Sequence, residues 1–161
     1  MGDFATELAS TVDDRIDEAE AAVRAYCRWH ITPVRQDTCT FRRPSSRVLM
    51  LPSLHVVSVD SIVTDGVLVD PATYVWTEAG VVAADWPCWG VSTTVTFTHG
   101  YAQPPAELVG VVKAMAQRSV DNPNGMALSS ITRGPFAESY DTTGRDTEQS
   151  LLDRYKLPPR F

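Results

Sequence analysis

The stretch from Val91 to Ala116 constrains this chain more than any other. Val91, Thr93, Val95 and Phe97 alternate with Ser92, Thr94, Thr96 and Thr98, so an extended backbone puts an apolar face on one side and a hydroxyl face on the other. Only one side of such a strand needs covering, and the cover is expected to be a helix. The chain then turns through His99-Gly100-Tyr101 to Pro105-Ala-Glu107, where a proline at the first helical turn and a neighbouring acid open a helix. Leu108, Val111, Val112, Met115 and Ser119 form one stripe of that helix, and Asn122-Pro-Asn-Gly125 closes it. An amphipathic strand feeding an amphipathic helix makes this an α+β chain.

The same period of two runs from Asp37 to Thr98 and predicts strands at 38–42, 48–51, 56–64, 74–76, 81–83 and 91–98. Pro44-Ser-Ser46, Pro52-Ser53, Asp65-Gly66, Glu78-Ala-Gly80 and Trp86-Pro87 punctuate them. Asp65-Gly66 is the strongest hairpin signal, because a type I′ turn needs positive φ at both central residues and Gly adopts it freely. Ahead of the strands, Thr11 and Asp14 have capping-box spacing, and Asp13, Asp14, Asp17 and Glu18 lie where a helix dipole favours anions. Ile16, Ala19, Val23, Tyr26 and His30 share one face of the helix expected over 11–30, which Pro33 stops. Residues 1–10 read as a short arm, a candidate contact element that carries Phe4 and Leu8.

Beyond the second helix, 126–146 is rich in Ser, Gly and Thr and reads as a long adaptable loop with a short strand near 137–140. Asp146 and Gln149 then open a short helix bearing Leu151, Leu152 and Tyr155, before an extended tail, Leu157-Pro-Pro-Arg-Phe161. The expectation is one domain spanning 1–161. At 161 residues a chain buries roughly two thirds of its unfolded surface and needs no metal or disulfide to hold a core.

A net charge of −6 argues against a protein that grips nucleic acid, since phosphate binding needs clustered Lys and Arg. Arg35, Arg42, Arg43 and Arg47 are the local exception, and Pro44-Ser-Ser46 among them reads as a solvated hairpin tip. Cys27, Cys39 and Cys88 are odd in number and form no Cys-x-x-Cys, which fits reduced, buried thiols. The chain has no apolar run of membrane-spanning length and no signal-like start, so it is expected to remain in the cytosol that makes it.

Three histidines leave little catalytic material. His99 stands at the strand-to-helix corner with Asp85 or Glu78 as partners in principle, but no nucleophile motif accompanies it. The plainer reading has His99 and Tyr101 fixing the turn through bonds from side chain to backbone. Cys27 and His30 offer only two of the ligands a zinc site needs. Trp76, Trp86, Trp89 and Tyr74 read either as core or as a sugar-stacking platform of a small β-rich binding module. No catalytic residue, cofactor or metal is assigned, and the chain is not expected to be an enzyme.

The order of these motifs resembles the head-to-tail connector, or adaptor, proteins of long-tailed phages, those of actinobacteria in particular. The likeness runs from about Thr11 to Tyr155: a capped acidic helix ending in Tyr26-Cys-Arg-Trp-His30, a β-rich insert with Leu51-Pro-Ser-Leu54, then Val95-Thr-Phe-Thr-His-Gly-Tyr101 and a Pro-started helix. It implies a virion neck protein, assembled in the bacterial cytoplasm, whose identical copies form a ring, commonly a dodecamer. Such a ring sits beneath the portal protein, receives the next neck protein, and passes DNA through its channel without sequence-specific binding. An acidic wall and an ordering loop suit that role. The resemblance implies a portal interface at Leu157, Pro158, Pro159, Arg160 and Phe161 with Phe4 and Leu8, and a subunit contact at Ile131, Arg133, Phe136 and Tyr140. A stopper or tail-completion protein of the neck remains the alternative within the same biology.

Overall fold

The computed structural model describes residues 3–44, 46–85, 89–121, 130–133, 136–139 and 143–158, with side chains outside 3–10 and 130–146. It is an α+β fold whose packing divides it into two compact units. One holds helices α1 (Asp3–Cys27), α2 (Ala106–Asp121) and α3 (Thr143–Arg154) with the strands β8 (Ser130–Arg133) and β9 (Phe136–Ser139). The other holds β1 (Arg35–Arg42), β2 (Val48–Met50), β3 (Val56–Thr64), β4 (Val67–Leu68), β5 (Tyr74–Trp76), β6 (Val81–Ala84) and β7 (Ser92–His99).

In the β unit, a four-stranded antiparallel sheet has the order β1-β7-β3-β4 and a three-stranded one the order β2-β6-β5. The alternation of β7 is realised as expected: Thr93, Val95, Phe97 and His99 are buried while Ser92, Thr94, Thr96 and Thr98 face outward. Val95 and Phe97 join Leu49, Val82, Tyr74 and Ala84 from the smaller sheet, with Leu51, Val56, Ile62 and Trp89, in one core. The two inner faces therefore cover each other, and no helix is required for this unit's core.

The β3–β4 turn is the one predicted: Asp65 has φ 49 and Gly66 φ 83. Its carboxylate also accepts from Val91 N (3.1 Å) and Ser92 N (2.8 Å), which ties the turn to the start of β7. Gly90 makes this possible, since a Cβ there would lie 2.1 Å from Asp65 Oδ2. The reading of 44–46 as a hairpin tip is corrected, because β1 pairs with β7 and β2 with β6. β1 and β2 thus belong to different sheets, and Arg35 stands at the far end of β1 from Arg42.

The helical unit departs further from expectation. No break separates an arm from a helix, for α1 runs unbroken from Asp3, so Thr11 lies inside it and caps nothing at its start. It ends at Cys27, ahead of Pro33, where Arg28 takes the left-handed φ of 66 common after a helix. Ala19, Val23 and Cys27 are its buried stripe, and the other buried apolar side chains among the unit's described residues are Leu108, Val111, Ala116 and Leu152. The 126–146 segment is not wholly loop: β8 and β9 pair antiparallel, with Ile131 opposite Glu138 and Arg133 opposite Phe136. Asp146 does not start the last helix, which begins at Thr143. Arg118 makes a two-pronged ion pair with Glu148, one contact being 3.0 Å, and Tyr26 donates to Asp153 at 2.6 Å.

Candidate functional site

The corner after β7 gathers more chemistry-bearing side chains than any other place among the described residues. His99 is 1% exposed, and its Nε2–H donates to Asp37 Oδ2 at 3.0 Å. Asp37 sits one diagonal step away across the β1–β7 ladder, because Arg35 pairs with His99 and Asp37 with Phe97. Arg35 reaches the same oxygen with Nε (3.0 Å) and Nη2 (2.7 Å). With Nε2 as donor, the neutral imidazole leaves its lone pair on Nδ1, which is buried without a partner.

Electrostatics follow from this arrangement. Burial holds the His99 pKa below the ordinary 6.5, outweighing the upward pull of Asp37, while Arg35 and His30 push the same way as burial. Protonation would place a second N–H at Nδ1 where no acceptor stands. For Asp37, burial pushes upward, but hydrogen bonds from His99 and Arg35 leave its carboxyl below the usual value of 3.8. The expected partners of His99, Asp85 and Glu78, are thus replaced by Asp37, 62 residues away in sequence.

Around this group three passes of chain meet. Gly100 N donates to His55 O (2.9 Å) and Tyr101 N to Ile31 O (2.7 Å). The Tyr101 ring stacks on His55 at 4.2 Å, and Gly100 has φ 99 with room for no Cβ, which would stand 2.8 Å from Pro33 O. The corner is fixed by backbone bonds and ring stacking, and not by side-chain bonds to backbone from His99 and Tyr101. His99 itself touches Phe97 and the edge of His30. An imidazole sealed in this way is a strut of the fold and presents no nitrogen to solvent.

The other singled-out residues scatter. Trp89 is 3% exposed and donates Nε1–H to Arg47 O, Tyr74 is buried, and Trp76 is partly exposed, while Trp86 lies outside the described residues, as does Cys88. Trp89 and Tyr74 are core, and among the described aromatics no stacking platform is assembled. Burial pushes the Cys27 thiol up to about 11, against a smaller downward pull from Lys156, which disfavours the reactive thiolate. Among the described residues no group of three or more His, Cys, Asp or Glu side chains converges as a metal site.

Of the proposed contact residues, Leu157 is 6% exposed and Pro158 is exposed. Pro159, Arg160, Phe161 and Tyr140 lie outside the described residues. Phe4 and Leu8 fall on α1, Ile131 and Arg133 on β8, and Phe136 on β9.

The outer faces of the two sheets differ in kind. On the four-stranded sheet, Thr38 meets Thr96 (3.2 Å), Thr40 meets Thr94 (3.1 Å), and Asp60 accepts from Gln36, Ser58 and Thr98. Burial raises the Asp60 pKa, and these three donors lower it further than burial raises it. On the three-stranded sheet, β2 contributes Val48 and Met50, β6 contributes Val81 and Ala83, and β5 contributes Val75, all apolar. Sequence reading missed this face, although Val48-Leu-Met50 and Val81-Val-Ala-Ala84, apolar at every position, carry its signal.

No protein-family model matches the chain, and no curated protein matches it in sequence. In fold it is similar to a chain from the neck of a native GTA particle at C12 symmetry, with a TM-score of 0.61 over 93% of this chain and 84% of that one, at 14% identity. A chain from the neck of an empty GTA particle at C6 symmetry matches with a TM-score of 0.61, covering 94% and 80% at 15% identity. A third, from the virion of a native gene transfer agent, gives 0.58 over 94% and 79% at 14% identity. The α+β architecture is thus one found in particle necks.

Proposed function

We propose that this chain is a structural subunit of the neck of a tailed-phage-like particle. Copies of it form a ring that joins the portal of the DNA-filled head to the next neck protein and surrounds the DNA channel. The observation that carries this reading is the fold likeness, over nearly the whole chain, to neck chains of gene transfer agent particles. The C12 and C6 symmetries of those necks favour a ring of like copies. A net charge of −6 agrees with a wall past which DNA moves without sticking.

Within this reading Leu157, Pro158, Pro159, Arg160 and Phe161 are the segment offered to the portal, with Phe4 and Leu8 as a second contact. Ile131, Arg133, Phe136 and Tyr140 are a further contact between subunits. The test is immunogold electron microscopy of intact particles from the source of the chain, with antibody raised to the native protein. Label at the head-tail joint is the expected result, and particles without label overturn the reading. The order in which necks missing one component accumulate separates a connector from a stopper.

A further inference from the structure

The two outer sheet faces of the β unit set up the inference. An antiparallel sheet packed on one side ordinarily solvates the other with polar residues, as the Thr38, Thr40, Thr94 and Thr96 face does. The three-stranded sheet breaks that rule. Its register puts Val48, Ala83 and Val75 in one row and Met50 beside Val81 in the next. Val75 is 67% exposed and Met50 50%, and none of the five carries a charge or a hydrogen-bonding group. A contiguous apolar surface kept in water marks an interface.

The same unit carries a second apolar feature of a different shape. At the tip of the β3–β4 hairpin, Val67 is 69% and Leu68 67% exposed. The hairpin is held in place by the Asp65 carboxylate on Val91 N and Ser92 N, so these side chains project from a fixed support. A chain of net charge −6 repels its own copies wherever acidic surfaces meet, and apolar side chains such as those of the sheet face and of Val67 and Leu68 are where copies can approach. A cyclic assembly needs two unlike, complementary surfaces on each subunit, and one flat apolar face with one apolar projection supplies such a pair.

We propose that the β3–β4 hairpin of one copy, through Val67 and Leu68, docks on the apolar face formed by Val48, Met50, Val75, Val81 and Ala83 of the next copy. This contact names the subunit interface and rests on the ring reading above for its closure, but the contact itself is tested in solution. The head-to-tail arrangement predicts that Leu68→Cys and Met50→Cys variants of the full chain, each also carrying Cys39→Ser and Cys88→Ser, give a cross-linked pair when mixed and treated with a short bismaleimide. The Cys39→Ser, Cys88→Ser background and each variant alone give none. Val75→Glu and Leu68→Glu each weaken self-association, followed by sedimentation velocity, by roughly 10-fold or more. Both side chains are mostly exposed, so unchanged circular dichroism serves as the folding control.

Absence of the mixed pair, or sedimentation of both Glu variants like wild type, overturns the contact. So does a strong product from either variant alone, because it signals a symmetric face-to-face pair. Glu variants that self-associate normally but no longer enter particles assign the face to another neck protein. A mixed pair in solution with no label on particles leaves the contact standing and removes the neck role, whereas labelled particles without the pair do the reverse.

Discussion

The β unit and the helical unit are held together by different means. In the first, Phe97, Ile62, Val82 and Val95 are fully buried with Tyr74, Trp89 and others in one core between two sheets. In the second, the buried apolar side chains among the described residues are Ala19, Val23, Cys27, Ala116, Val111 and two leucines, and polar links in this unit include Arg118–Glu148 and Tyr26–Asp153. Apolar burial scales with area, so among the described residues the β unit has the larger apolar core, and the described helices carry small side chains, Ala19 and Ala116, on their buried stripes. The difference leads us to expect that the β unit is the frame and that helical parts open at lower free energy.

The most forceful way to break this comparison is Phe97→Ala. It removes a 0% exposed ring from the centre of β7 and is expected to cost about 3–5 kcal/mol in urea unfolding followed by near-ultraviolet circular dichroism. A cost under about 1 kcal/mol would mean that the β core is not the frame. Native-state hydrogen exchange sharpens the same point: amides of β3 and β7 are expected to exchange last, after those of α1 and α3. Helical amides that outlast the central strands would reverse the ranking.

Asp37→Ala comes next. It leaves the buried Nε2–H of His99 without its acceptor, at an expected cost of about 1–3 kcal/mol. The sign of its pH effect follows from His99 being held neutral in the fold. Its native pKa is depressed below 6.5, so stability is fully present above that value and falls as pH drops through the lower native one. Asp37 pulls the His99 pKa up and Arg35 and His30 pull it down, so losing Asp37 widens the gap between native and unfolded values. The variant should therefore lose stability more steeply than wild type as pH falls from 6.5 in a series of urea melts. In wild type, Asp37 adds a separate loss once pH drops below 3.8 toward its own depressed value. An equally steep or shallower decline in the variant would show that His99 is not the group titrating below 6.5.

How much of this was legible follows the range of each signal. The alternation of β7, the bounds of β3 at 56–64 and the Asp65-Gly66 turn are local and stood plainly in the sequence. Which strands pair is not local: β1 and β2 are neighbours in sequence and belong to different sheets, so the Pro44-Ser-Ser46 signal was read as a hairpin. The partner of His99 was missed for the same reason, since diagonal adjacency to Asp37 exists only once β1 lies against β7. At the first helix, Thr11 and its acids have cap spacing, yet residues 3–10 continue the helix. Capping residues inside a helix cost little when exposed, so the pattern does not enforce a start.

The finest distinction between the units lies in the Arg118–Glu148 pair, which joins α2 to α3. The Arg side chain is 40% exposed and the Glu side chain 20%, so solvent screens the pair and its fork geometry recovers only part of the loss. Arg118→Ala is expected to cost less than about 1 kcal/mol, with a coupling to Glu148→Ala of similar size in a double-mutant cycle. A coupling above about 2 kcal/mol would change the account of the helical unit. Its helices would then be held by a desolvated ion pair, and since salt screens such a pair far less than an exposed one, the coupling would persist at high salt.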